Sequence, residues 1–128
     1  MNFIKEINEL HQFFQAYFRG DLDDVTRFTS VMMDEFRLIP PSGEELNREQ
    51  IVHAVISGKG SRPSVEIWTS SHDLIEEIDD LLIAEYIEHQ RDEGEETQRR
   101  STVIFRKDRE AFNQLKWLHV HETWIKNM

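Results

Sequence analysis

From residue 64 onward the chain repeats one pattern, and no other feature of the sequence constrains the fold as strongly. Four β-rich runs, residues 65–78, 81–91, 98–107 and 113–126, are separated by short acidic or polar segments. Branched and aromatic side chains dominate the runs, as expected of strands. Links this short join neighbouring antiparallel strands, so the runs form a meander.

The half before residue 64 is helical in character. Phe3, Ile7, Leu10, Phe14 and Tyr17 recur at three- and four-residue steps, with Ile4, Phe13 and Phe18 widening the stripe. That is one face of an amphipathic helix over residues 3–19, stopped by Gly20. Asp21 is placed to cap a short second helix carrying Leu22, Val25 and Phe28. Residues 34–39 read as a strand, closed by Pro40-Pro41-Ser42-Gly43. Asn47-Arg48-Glu49-Gln50 has capping-box spacing and opens a third helix carrying Ile51, Val52, Val55 and Ile56. Gly58-Lys59-Gly60 follows that helix rather than opening one, so it is a stop and not a phosphate loop. Helices first and strands after predict an α+β domain over residues 1–128. Its three N-terminal helices lie on one face of a curved antiparallel sheet.

Composition narrows the function. At 128 residues, 38% hydrophobic, the chain suits one folded domain. A net charge of −10 repels phosphate backbones, so no nucleic-acid partner is expected. No apolar run is long enough to span a membrane, and the acid-bearing N-terminus is not a signal peptide. With no cysteine there is no disulfide framework, and a cytoplasmic location is expected. The acidic runs at 76–80 and 92–96 lack the alternation of a calcium loop.

The last run contains Trp117-Leu118-His119-Val120-His121-Glu122-Thr123-Trp124. Strand alternation puts Trp117, His119, His121 and Thr123 on one face, and Leu118, Val120, Glu122 and Trp124 on the other. Large apolar groups on both faces imply that both are covered. Helices can cover one, and a second copy of the chain would cover the other, so a homodimer is expected. His-x-His suits zinc or iron, but no third ligand is fixed near it, and neither metal nor cofactor is expected.

Gly20-Asp21-Leu22, Asp34-Glu35-Phe36 leading to Pro41-Ser42-Gly43, the basic stretch from Arg99 to Asp108 and the His-x-His strand occur in a familiar order. In these the chain resembles the nuclear transport factor 2-like superfamily, nearest its SnoaL-like small proteins and the association domain of calcium/calmodulin-dependent kinases. The resemblance implies a cone-shaped sheet wrapped around a pocket that the helices close, and a dimer across the outer sheet face. It also implies that Glu122 looks inward, with Trp117, His119 and His121 at the dimer side. By that parity Arg100, Thr102 and Ile104 are the inward set of the neighbouring strand. The proton-transfer device of ketosteroid isomerases is missing, because its tyrosine position holds Phe13 and its aspartate position Pro40.

The expected site therefore comprises Tyr17, Phe36, Trp68, Arg100, Glu122 and Trp124, with Glu122 and Glu85 as candidate bases. An inward Arg100 needs an anionic ligand or a carboxylate partner. A small polar or carboxylate-bearing molecule satisfies it, and so does an internal ion pair with Glu122 or Glu85. The function expected is small-molecule binding without demonstrable catalysis. The alternatives are a cyclase, isomerase or dehydratase using a pocket carboxylate as base, and a protein-association module.

Overall fold

The structure, a computed structural model, describes residues 2–126. Helix α1 (Phe3–Arg19) is followed by a single turn, α2 (Thr26–Thr29), then strand β1 (Met32–Ile39), a two-residue strand β2 (Leu46–Asn47) and helix α3 (Arg48–Ser57). Four long strands complete the chain: β3 (Glu66–Ile78), β4 (Leu81–Asp92), β5 (Glu95–Lys107) and β6 (Leu115–Trp124). They form the expected antiparallel meander. The whole sheet has the order β2-β1-β6-β5-β4-β3, and β1 returns beside β6 in parallel.

The helix ends follow from local chemistry. Gly20 sits at φ 91°, a left-handed conformation open to a residue without Cβ, and its N–H closes onto the Tyr17 carbonyl. At α3, the Asn47 side chain accepts from the Gln50 N–H while the Gln50 side chain accepts from the Asn47 N–H, both at 2.9 Å. This is the capping box read from sequence. The second helix begins later than expected, at Thr26, because Asp24 rather than Asp21 takes the free N–H of Thr26.

The core lies between α1 and the inner sheet face. Ile7, Leu10, Phe13 and Tyr17 are buried there against Leu82, Val103 and Phe105. Each such side chain contributes about 1.5–3 kcal/mol by leaving water. Two acids interrupt the apolar stripe. Glu6 is fully buried, and its carboxylate accepts from Arg27 Nη2 at 2.5 Å, Arg27 Nη1 at 3.2 Å, Asn113 Nδ2 at 2.9 Å and Trp117 Nε1 at 2.8 Å. This clamp ties α1 to α2, to the β5–β6 loop and to β6.

One irregularity corrects the sequence reading of β6. Phe105 pairs with Trp117 while Ile104 pairs with His119, so Leu118 is an extra residue in that strand. The bulge reverses the alternation between Trp117 and His119. Trp117 therefore turns inward and is buried against Phe105 and Glu6, and it is not on the outer face with the histidines.

Candidate functional site

Cross-strand register arranges the inner sheet face in rows. Leu82, Phe105 and Trp117 lie side by side, followed by Ala84, Val103, Val120 and Leu38. The next row is Tyr86, Ser101 and Glu122, and the one after it Glu88, Arg99 and Trp124. Polarity rises along one direction of the sheet.

A cavity of about 90 Å³ lies over these rows, beneath α1, α2 and α3. One water-sized sphere takes ~10–15 Å³ on such a measure, so the space holds roughly half a dozen heavy atoms. Leu10, Phe28, Met32, Ile51 and Trp117 make its apolar end, and His11, Tyr86, Glu88 and Glu122 its polar wall. Phe14, Phe36 and Leu38 complete the lining.

The polar wall is a network. His11 donates Nδ1–H to the Ile7 carbonyl at 2.7 Å, one helical turn back, and its Nε2 meets Glu88 at 3.1 Å. Gln90 donates to the other Glu88 oxygen at 2.6 Å. Arg99 reaches Glu122 at 3.3 Å and lies over the Trp124 ring at 4.7 Å. The Ser101 hydroxyl is fully buried between Tyr86 and Glu122 in its row.

These contacts separate the two carboxylates. Burial alone would raise Glu88, but the His11 charge and hydrogen bond, with help from Arg99 and Gln90, hold it at about 2. Burial lowers His11, yet Glu88 outweighs it and the imidazole is raised, which favours its charged form beside that carboxylate. Burial and the charge of Glu88 both raise Glu122, Arg99 and His11 recover only part of the shift, and it stands at about 7. Burial raises the Tyr86 hydroxyl well above its ordinary range, which keeps it a donor. The wall thus contains a fixed ion pair, His11–Glu88, and an acid that exchanges its proton near neutrality.

Of the residues expected from sequence, Glu122 and Phe36 are on the cavity wall. Tyr17 is not: it is buried one turn further along α1, stacked on Phe13, and its hydroxyl donates to the Ile56 carbonyl at 3.4 Å. Trp124 has the inward parity but is exposed beyond the cavity, beneath Arg99. Arg100, Glu85 and Trp68 are on the opposite sheet face. Arg100 and Glu85 pair with each other there at 3.1 Å, and Trp68 stacks on His89 at 5.0 Å. The pairing of Ser101 with Glu122 is the physical reason: it turns Arg99, Ser101 and Val103 inward and Arg100 outward. His119 and His121 are on the outer face with Thr102 and Ile104. Among the described residues no group of three metal-ligating side chains occurs.

Three residues of this polar network were not singled out in the sequence: His11, Glu88 and Arg99. Each carried a signal. His11 stands four residues after Ile7 and three before Phe14, on the apolar stripe of α1. Glu88 continues the alternation Leu82, Ala84, Tyr86, and Arg99 continues Phe105, Val103, Ser101.

The sequence profile of the family described as sucrose-6-phosphate phosphohydrolase C-terminal matches residues 4–126. The chain belongs to that family. No curated protein matches it. Among solved structures, the chain is similar to an NTF-2-like protein of unknown function from Pseudomonas aeruginosa. The two are 25% identical, with a TM-score of 0.88 and coverage of 97% of this chain and 98% of the other. It is also similar to the CaMKII hub of S. rosetta, at 15% identity, a TM-score of 0.73 and coverage of 95% and 94%. A protein with a cystatin-like fold from Caulobacter vibrioides matches at 14% identity, a TM-score of 0.69 and coverage of 96% and 87%. The domain has the nuclear transport factor 2-like, cystatin-like fold that its motif order resembles.

Proposed function

We propose that this domain is a SnoaL-like binding domain that takes a small, mostly apolar molecule with one polar head group into the cavity between α1 and the sheet. The observation that carries the reading is Glu122. A buried acid facing a second, ionised carboxylate across a cavity costs stability, and an apolar core would not need it. A ligand that meets Glu122 gives the arrangement a use. The size of the cavity restricts the ligand to a few heavy atoms, well below the usual drug-sized pocket of ~300 Å³ or more. Arg100, the side chain that would favour a carboxylate ligand, faces away and pairs with Glu85, so the residues of the wall set the head group.

Nitrogen-15 NMR against a library of small amphiphiles tests the proposal. Binders should perturb His11, Phe36 and Glu122, and Leu38→Phe, which plugs the half-buried side of the cavity, should abolish the perturbation while the domain stays folded. No response in the cavity to any compound at millimolar concentration would overturn the reading.

The domain acts, in this reading, as a homodimer. Ile83, Ile87, Thr102, Ile104 and His119 are half-buried on the outer sheet face of the single chain, a surface suited to a second copy. Ile87→Glu should leave a folded monomer by sedimentation equilibrium, and an unchanged association state would contradict that interface. A second reading, proton-transfer catalysis, is favoured by the near-neutral value of Glu122. In that case Glu122→Gln removes turnover on any substrate found, and unchanged turnover rejects Glu122 as base.

A further inference from the structure

We infer that the cavity selects an organic cation, a small alkylammonium whose charged head sits against Glu122 and Glu88 and whose hydrocarbon part lies among aromatic rings. This deepens the small-molecule reading above and rests on it.

The charges on the wall decide the sign of the ligand. Three charged side chains line the cavity: His11, Glu88 and Glu122. The cations near them are committed elsewhere. Both His11 nitrogens are engaged, by the Ile7 carbonyl and by Glu88, so the imidazolium has no donor left for a ligand. Arg99 is not part of the lining; it approaches Glu122 from the neighbouring strand and rests on Trp124 outside the cavity. With Glu122 ionised, the lining sums to one positive and two negative charges, a net of −1. An ammonium brings the sum to zero, whereas a carboxylate doubles the imbalance in a site with little water to screen it.

The remaining lining suits the same choice. Phe14, Phe28, Phe36, Tyr86 and Trp117 all contribute to the cavity. Ring faces attract a desolvated ammonium, an interaction that anions and alcohols do not share.

Binding and protonation then compete for one carboxylate. The groups that face Glu122 are Glu88 and Tyr86 from β4, Arg99 from β5 and His11 from α1. Glu122 exchanges its proton at about 7, so the ammonium must displace that proton at lower pH. Affinity should rise as pH is raised through about 7 and level off above it.

Three branched probes of similar size test the inference by calorimetry and nitrogen-15 NMR: isopentylammonium, isopentanol and isovalerate. The expected result is tightest binding of isopentylammonium, with shifts at Phe36 and Glu122 and the stated pH dependence. Glu122→Gln should weaken it by about tenfold or more, the scale of a lost charge-assisted hydrogen bond, while isopentanol is unaffected. Phe36→Leu should weaken the ammonium more than the alcohol. If isopentanol or isovalerate binds in the cavity as tightly as isopentylammonium, or if Glu122→Gln leaves the ammonium unchanged, the choice of a cation is wrong and the small-molecule reading stands. If none of the three perturbs the cavity, the cation inference is overturned and the small-molecule reading is weakened with it.

Discussion

Two buried acids on the same side of the sheet are treated in opposite ways. Glu6 accepts four hydrogen bonds from Arg27, Asn113 and Trp117, and every one of those donors belongs to an element it fastens. Glu122 accepts one, from Arg99 at 3.3 Å, and faces a second carboxylate across open space. The first is saturated by the protein itself, the second left with capacity to spare. That difference separates an acid that holds the fold together from one placed to meet something else.

The comparison breaks most visibly at Glu6. Glu6→Gln should destabilise the domain by about 3 kcal/mol, because it takes from Arg27 its nearer counter-ion and leaves it only Glu9 at 3.4 Å. Urea unfolding measures this, and a loss under ~1 kcal/mol would mean that the clamp is not structural. Stability against pH gives the next effect, on the order of 3 kcal/mol, and its sign is distinctive. Folded Glu122 keeps its proton up to about 7, while the unfolded chain releases it near 4.5. Between those values the folded state binds more protons, so stability falls as pH rises. Glu122→Gln should remove that decline.

Glu88 works the other way, with a contribution present above 4.5 and lost as pH falls toward about 2. The raised His11 adds stability that is complete below 6.5 and disappears as pH rises through its folded value. All three together place the stability maximum on the mildly acidic side of neutrality. An optimum at alkaline pH would contradict the assignment. The smallest effect belongs to the outer face, where Arg100→Gln should change stability by no more than ~0.5 kcal/mol, since its pair with Glu85 is open to solvent.

Much of the architecture was legible because local signals were redundant. The extent of α1, its stop at Gly20, the Asn47 capping box and four strands separated by polar turns each followed from periodicity plus a terminator. The site was less legible because it depends on register between strands. Parity within β5 offers two sets, and only the pairing of Ser101 with Glu122 selects Arg99, Ser101 and Val103 over Arg100, Thr102 and Ile104. One inserted residue, Leu118, carried Trp117 to the other face, and nothing in the composition of β6 announces a bulge. His11 and Glu88 meet across 77 residues, a contact that exists only once α1 lies on the sheet.

The central claim is that Glu122 is an acid kept near neutrality by burial and by Glu88. Carbon-13 NMR titration of the Glu122 side-chain carboxyl tests it directly, in the native domain and in Glu88→Gln. A midpoint close to 7 that drops markedly in the variant is the predicted result. A midpoint near the ordinary 4.5 in both would contradict the account.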